Sequence, residues 1–314
     1  MNPDFEDTLG AFKTPNPKSN RLQRRFIHLS SEKSRFRKTV ETVLVVHGWE
    51  TEAKKQPMSL IVLSVRLNCH AANFRIQSAR MWFAFYEDDK ASPPNTEEAA
   101  PEVVTFAPFV EQKITNVTPE VREVTNAFGG KLGPPETFMS GGVEASRAVK
   151  SGYTRQHFDR GTADCLVRDD RVYGVNWFCE QNKLTKYGVN PHFHVAVLLK
   201  REHTKADNKA ISFSGVFDMR IEAGLIHDFN NGIRRAFRLG KPEDEAIYYD
   251  PNQSAQTGGF EGVGQELKAN VEENNLGKLA GKGGLSRLLD PKQILSGLEP
   301  MAPSGADAAQ VACK

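Results

Sequence analysis

Several stretches of this chain alternate apolar and polar residues with a period of two, and this feature constrains the fold more than any other. Between Met58 and Leu67, the apolar residues Ile61, Leu63 and Val65 recur at every second position, with polar residues such as Ser64 between them. Successive side chains of a β-strand point to opposite faces of a sheet. The alternation therefore predicts a strand that is buried on one face.

Similar signals recur along most of the chain. Alternating or β-branched runs lie at residues 40–46, 75–86, 103–110, 153–158, 163–167, 172–181, 192–200 and 211–221. Segments rich in glycine, proline or acidic residues separate them at 87–101 and 129–142, and Thr118-Pro119-Glu120 is typical of a turn. There is no repeat and no alternation of strands with helices. The pattern predicts a mainly-β fold, an antiparallel β-sandwich.

The sequence predicts three regions with different character. Residues 25–250 form the sandwich region, as one large or two small sandwiches, with an internal boundary near 87–101 or 129–142 as the alternative. Within it, apolar residues at helical spacing over 225–239 indicate a helix packed on a sheet. Residues 1–24 are expected to be a flexible tail. Residues 251–314 are expected to be largely flexible, with a short helix at 285–298.

Composition excludes several classes of protein. The formal net charge is only +2, so no global field attracts nucleic acid or anionic lipid. The four cysteines form no closely spaced pair, which argues against a zinc or disulfide scaffold. The first twenty residues lack the apolar run of a signal peptide, and the longest apolar stretches fall short of the roughly 20 residues that span a bilayer. We therefore expect a cytoplasmic protein.

The catalytic candidates are His47, Glu180, His192 and His194. The run Val43–Trp49 contains His47-Gly48 and is similar to the strand and turn before the oxyanion hole of α/β-hydrolases. That fold also needs a nucleophile in a G-x-S-x-G turn, which this chain lacks. A β-strand that ends in a turn is the simpler interpretation.

His192 and His194 are two residues apart, so they project from the same face if residues 192–200 form a strand. Two imidazoles at this spacing are weak candidates for a metal site, which would need a further ligand. No glycine-rich loop has the spacing that binds phosphate, since the 277–284 segment lacks the following Ser or Thr. The sequence predicts no cofactor.

A basic segment lies between residues 18 and 38. With Phe26 and Phe36 interleaved, this composition suits nucleic acid or an anionic membrane, although a solubilising arm beside an edge strand is the simpler interpretation. The cations of this candidate patch are Arg21, Arg24, Arg25, Lys33, Arg35, Arg37 and Lys38.

Residues 175–182, 187–189 and 194–201 contain a tryptophan strand, a Glu-x-Asn turn, a glycine turn and an apolar strand ending in Arg. This order resembles a segment that recurs in uncharacterised β-rich proteins of filamentous fungi. The resemblance is clear over about thirty residues. It implies a β architecture and no activity.

These observations favour a non-enzymatic binding or scaffold module. Long loops on a rigid sheet are a common place for recognition, and a protein is the expected partner. One alternative is an enzyme whose site is assembled from distant residues, hydrolase-like or metal-assisted. The other is association with nucleic acid or an anionic membrane through the basic segment.

Overall fold

The computed structural model describes residues 14–18, 22–30, 34–70, 75–87, 100–111, 113–127, 148–202, 211–223, 244–259 and 262–289. The strands within these residues are β1 (Phe26–Leu29), β2 (Phe36–Trp49), β3 (Pro57–Cys69), β4 (Ser78–Glu87), β5 (Glu102–Ala107), β6 (Lys113–Ala127), β7 (Ala148–Arg168), β8 (Arg171–Glu180), β9 (His192–Lys200), β10 (Phe213–Glu222), β11 (Ile247–Tyr249) and β12 (Gln256–Thr257). Three short helices follow: α1 (Val263–Ala269), the 3-10 helix η1 (Glu273–Ala280) and α2 (Gly284–Leu288).

The strands form two antiparallel sheets. The first has the order β1-β2-β3-β9-β5, with β12 also paired to β2. The second has the order β11-β10-β4-β8-β7-β6. The chain crosses between the sheets after β3, β4, β5, β8, β9 and β11. The predicted mainly-β, antiparallel class is therefore confirmed.

One apolar core joins the two sheets. The second sheet contributes large aromatic side chains, including Trp177, Phe83 and Phe85, and the first contributes aliphatic ones such as Ile61 and Val195. Each of these five is at most 1% exposed. Aromatic rings fill volume that β-branched side chains cannot reach, so the two faces interdigitate, as in other sandwiches.

The outer face of the first sheet is covered by the C-terminal segment, residues 256–289. Leu267, Leu276 and Leu285 are buried in a second cluster against Leu60 and Val62. This differs from the expected flexible tail, of which residues 290–314 lie outside the described residues. Of the helix predicted at 285–298, the structure describes only α2 (Gly284–Leu288), and residues 290–298 lie outside the described residues.

A close backbone approach holds this segment in place. A Cβ atom on Gly48 of β2 would lie 1.9 Å from the carbonyl oxygen of Glu273. Only glycine permits such contact between a strand and the η1 backbone. Gly277 on η1 permits a second close approach, because a Cβ atom there would lie 2.6 Å from the carbonyl oxygen of Glu50.

The structure differs from the sequence predictions at other points. Residues 118–120 lie within strand β6 rather than in a turn. The two short strands predicted at 153–158 and 163–167 are parts of the single strand β7. In the predicted N-terminal tail, the Thr14 amide donates to Asp244 and the Asn16 amide donates to Glu245. The helix predicted at 225–239 and the loop at 129–142 lie outside the described residues.

Candidate functional site

The β6–β7 hairpin extends beyond the sheet to which it belongs. Strand β7 pairs with β8 only from Arg160 to Arg168. The earlier part of β7 pairs with β6 alone, from Thr118↔His157 to Ala127↔Ala148. We call these two segments, residues 118–127 and 148–157, the ribbon. At about 3.3 Å per residue, its ten residue pairs extend for about 30 Å.

Each strand of the ribbon has a ladder on one side only. Among the described residues, β6 pairs with β7 and with no other strand, and residues 148–157 pair only with β6. Alternate backbone N–H and C=O groups of both strands therefore point away from the hairpin. Such edges are templates for another strand.

Apolar side chains are exposed where β6 leaves the sheet. Ile114 is 46% exposed and Val117 is 52% exposed. The register between β6 and β7 shifts between Thr115 and Thr118. A bulge increases local twist, and such irregularities often redirect a strand at the end of a sheet.

The root of the ribbon, where it leaves the sheet, is tied to the sandwich. The backbone N–H of Asn182 donates to the Asp159 carboxylate on β7. The Asn182 Nδ2 group donates to the Thr118 hydroxyl on β6, at 3.1 Å. The Phe109 ring occupies the space beside Gly161, where a Cβ atom would lie 2.4 Å from the ring. The ribbon therefore starts from a fixed base.

The structure places His47 inside the sandwich. Its Nδ1 atom lies 2.7 Å from the Ser59 hydroxyl, and its ring meets the Phe213 ring edge-on at 6.2 Å. Burial, with a smaller contribution from the Arg201 charge, lowers the pKa of His47 to about 3. His47 is therefore a neutral, partly buried imidazole.

His192 and His194 lie on the outer face of the first sheet, with ring centroids 5.1 Å apart. The Nε2 atom of His192 lies 3.0 Å from the Ser64 hydroxyl. Burial lowers the pKa of His194 to about 4, and the neighbouring His192 and Arg66 lower it further in the same direction. Within the described part of the chain, no three His, Cys, Asp or Glu side chains are placed to hold a metal ion.

Glu180 lies on the outer face of the second sheet. Its carboxylate is 3.1 Å from the Lys183 ammonium and 3.9 Å from the Arg160 guanidinium. His47, Glu180 and the His192–His194 pair thus occupy three different faces of the sandwich. The structure brings only the two neighbouring histidines together.

The cations of the basic segment have diverse surroundings. Arg24 is 3% exposed and donates to the Asn16 side chain and the Ile27 carbonyl, so it belongs to the interior. Arg25 pairs with the buried Glu41 at 2.6 Å. Arg35, Arg37 and Lys38 are half-buried, and Arg21 and Lys33 lie outside the described residues.

A row of alternating cations and aromatic rings crosses the outer face of the second sheet. The Arg220 guanidinium lies 4.8 Å from the Trp82 ring centroid, and that of Arg80 lies 5.1 Å from the Phe178 centroid. At the end of the row, the Arg160 guanidinium lies 5.4 Å from the Phe178 ring centroid. Asp218 and Glu180 lie beside the two ends, so the row has nearly balanced charge.

A polar groove of about 260 Å³ lies at one end of the sandwich. It is lined by Glu102, Asp169, Asp170, Arg171, Lys200, Arg201 and Glu202. Acidic and basic side chains are interspersed there, and apolar lining of the kind that holds small molecules is lacking among these residues.

No helix within the described ranges is long and apolar enough to cross a membrane.

Comparisons with known proteins give little guidance. No protein-family model matches the chain, and no curated protein matches it. A solved structure that aligns with it is the Clostridium perfringens NetB toxin in the membrane-inserted form. The alignment covers 63% of this chain and 83% of that chain, with 8% sequence identity and a TM-score of 0.24. A TM-score this low implies neither a shared fold nor a shared function.

Sequence reasoning missed the ribbon and its root. The signal that could have found β6 is the β-branched content of 114–125, with Val117, Val121 and Val124. Pro119 concealed it, because proline usually ends a strand. On an edge strand, however, proline is tolerated.

Proposed function

We propose that this chain is a non-enzymatic assembly module that binds further copies of itself through the free edges of the ribbon. The observation that carries this proposal is the ten-pair hairpin whose two strands, within the part of the chain that the structure describes, pair only with each other. The proposal keeps the protein partner expected from the sequence and takes that partner to be a second copy of the chain.

A second copy suits both edges at once. Within one copy, β6 and β7 run antiparallel. If copies stand side by side in the same orientation, β7 of one copy lies antiparallel to β6 of the next. The junction then repeats the ladder that already exists inside each hairpin. Such head-to-tail contacts form a ring when the rotation closes and a filament when it does not.

The energetics favour reversible association. An isolated two-stranded hairpin is only marginally stable in water. Full pairing of one edge with the next copy would add about ten hydrogen bonds, each worth about 1 kcal/mol net. Association itself costs about 4–15 kcal/mol. The two magnitudes are similar, so the extent of assembly should depend on protein concentration.

The enzyme alternative has less support. His47 packs against Phe213 between the sheets, and Glu180 is paired with cations on a different face from His192 and His194. A catalytic set requires its groups within hydrogen-bond reach of one reacting atom. Three separate faces do not supply that arrangement.

The test is to remove the ribbon without disturbing the sandwich. Residues 119–156 are replaced by an Asn-Gly turn that connects Thr118 to His157, which already face each other across the hairpin. Molecular mass is then measured by sedimentation over a wide range of concentrations. We expect the intact chain to form larger species as concentration rises and the shortened chain to remain monomeric.

The proposal fails if the intact chain is monomeric throughout that range. It also fails if the shortened chain assembles as the intact one does. The shortened chain must retain the unfolding midpoint of the sandwich, which shows that lost assembly does not come from lost folding.

A further inference from the structure

Asn182 contacts both strands of the ribbon at its root. It follows β8 by two residues and is fully buried, with 0% exposure. Its backbone amide bonds to Asp159 on β7, and its side-chain amide bonds to Thr118 on β6. We call these three residues the clasp.

The same residue shapes the loop that follows β8. The Asn182 side-chain oxygen accepts hydrogen bonds from the backbone amides of Leu184, at 2.9 Å, and Thr185, at 3.4 Å. Its backbone carbonyl accepts from the Lys186 amide at 2.9 Å. The orientation of the side-chain amide is therefore determined, because turning it over would place its NH₂ group against two N–H donors.

This loop presents apolar groups to solvent. Tyr187 is 82% exposed and Leu184 is 40% exposed. Lys186 has a φ of 53°, which is unusual for a residue other than glycine. The exposed loop and the root of the ribbon thus share one buried residue, Asn182.

We propose that Asn182 is a positioning residue that couples the 183–187 loop to the ribbon and sets the ribbon's orientation for assembly. This inference rests on the proposed function. Because Asn182 holds both strands at the root, the ribbon samples fewer orientations. It therefore loses less conformational entropy when it pairs with the next copy. A loosened root makes association weaker. By linkage, association in turn stabilises the Asn182 contacts and orders the loop.

The variant that tests the clasp is Thr118→Val, which removes the hydroxyl and keeps a β-branched side chain. Thr118→Ser restores the hydroxyl and is the rescue. Thr162→Val is the matched control, because Thr162 lies on β7 inside the second sheet, opposite Phe178 and away from Asn182. Asn182→Ala is a second variant, less suitable alone because it also removes the loop contacts.

Two quantities are measured for each variant. One is the association constant by sedimentation, and the other is hydrogen exchange of the ribbon amides in dilute, monomeric protein. Loss of one hydrogen bond of about 1 kcal/mol weakens association by up to about fivefold, the limit that applies if the bond is made in full only in the assembled state. We expect weaker association from Thr118→Val, with faster exchange at the amides of residues 118, 120 and 121, and neither change from Thr118→Ser or Thr162→Val.

A reciprocal measurement uses the wild-type chain. The amides of Leu184 and Thr185 should exchange more slowly in the assembled protein than in the monomer. Equal exchange in both states overturns the coupling, as does equal association of Thr118→Val and Thr118→Ser.

If the wild type never associates, the proposed function fails, whereas exchange in the monomer still tests the clasp. Identical exchange in all three threonine variants overturns the clasp.

Discussion

The first sheet and the ribbon are both made of antiparallel strands, but they differ in what surrounds them. The first sheet is covered on its inner face by the second sheet and on its outer face by residues 256–289. Ribbon residues 148–157 have one neighbouring strand among the described residues. The comparison teaches that the two ladders rest on different support: the first sheet is stabilised by a layer on each face, whereas a hairpin of two strands is by itself only marginally stable in water.

The largest expected effect comes from the core. Trp177 is fully buried and meets Phe106 edge-on at 6.4 Å. Trp177→Ala should lower the free energy of unfolding by about 3–5 kcal/mol, because it removes buried area and leaves a cavity. Denaturant titration measures this. Trp82→Ala, on the outer face of the same sheet, is the control, and it should lower the free energy of unfolding by less than half as much as Trp177→Ala. Equal costs would contradict the inner and outer assignment of β4 and β8.

Gly48→Ala tests the layer over the first sheet. The new methyl group would overlap the Glu273 carbonyl, so we expect η1 to move away and the free energy of unfolding to fall by about 1–3 kcal/mol. Binding of an apolar dye should rise as Leu60 and Val62 become accessible. Gly281→Ala is the control, since a Cβ atom there meets its nearest neighbour at an ordinary 3.5 Å. Unchanged dye binding in Gly48→Ala would show that the layer is not held by this contact.

The next effect depends on pH. The folded-state pKa of His47 is about 3, below the value of about 6.5 in an unfolded chain, so the unfolded state binds the proton first. His47 therefore lowers stability as pH falls from about 6.5 toward 3, by about 1.4 kcal/mol per pH unit.

Replacement of His47 should flatten this dependence. The glutamine in His47→Gln can still hydrogen-bond to Ser59 but does not titrate. Between pH 6.5 and 5, the free energy of unfolding of the wild type should therefore fall by about 2 kcal/mol more than that of the variant. Replacement of the exposed His70 by Gln controls for removal of one imidazole. Parallel pH profiles for the wild type and His47→Gln would refute the partly buried, neutral assignment.

The smallest effect is expected on the outer face of the second sheet. Arg80→Ala removes cation–ring contacts with Trp82 and Phe178. Exposed contacts of this kind are worth about 0.5–1 kcal/mol. Arg80→Lys keeps the charge without the planar group, so its free energy of unfolding should lie between those of the wild type and Arg80→Ala. A loss above about 2 kcal/mol would mean that this face is more deeply buried than the structure shows.

The sequence indicated the sandwich well because its strands obey a local rule. Ile61, Leu63 and Val65 recur at every second position and face the core between the sheets, and that periodicity can be read without a partner strand. Leu60 and Val62, on the other face of the same strand, are buried as well, beneath the outer layer. The outer layer was not predictable in this way. Its buried leucines, Leu267, Leu276 and Leu285, are nine residues apart and show no helical or strand period.

The ribbon and its root were hidden for other reasons. Pro119 looked like a turn residue, and only the pairing of β6 at an edge explains why it is tolerated within a strand. Asn182 has no sequence signal, because its importance comes from contacts with Thr118, 64 positions away, and Asp159. Contacts between distant residues depend on topology, which local patterns do not specify.

The most direct test of the central claim is amide hydrogen exchange along residues 118–127 and 148–157, measured residue by residue at low and high protein concentration. In dilute protein, protection should alternate along each strand, because only every second amide faces the other strand of the hairpin. As concentration rises, the outward amides should become protected and the alternation should disappear. Alternation that persists unchanged at every concentration would contradict the account, because it would mean that the ribbon's edges stay free.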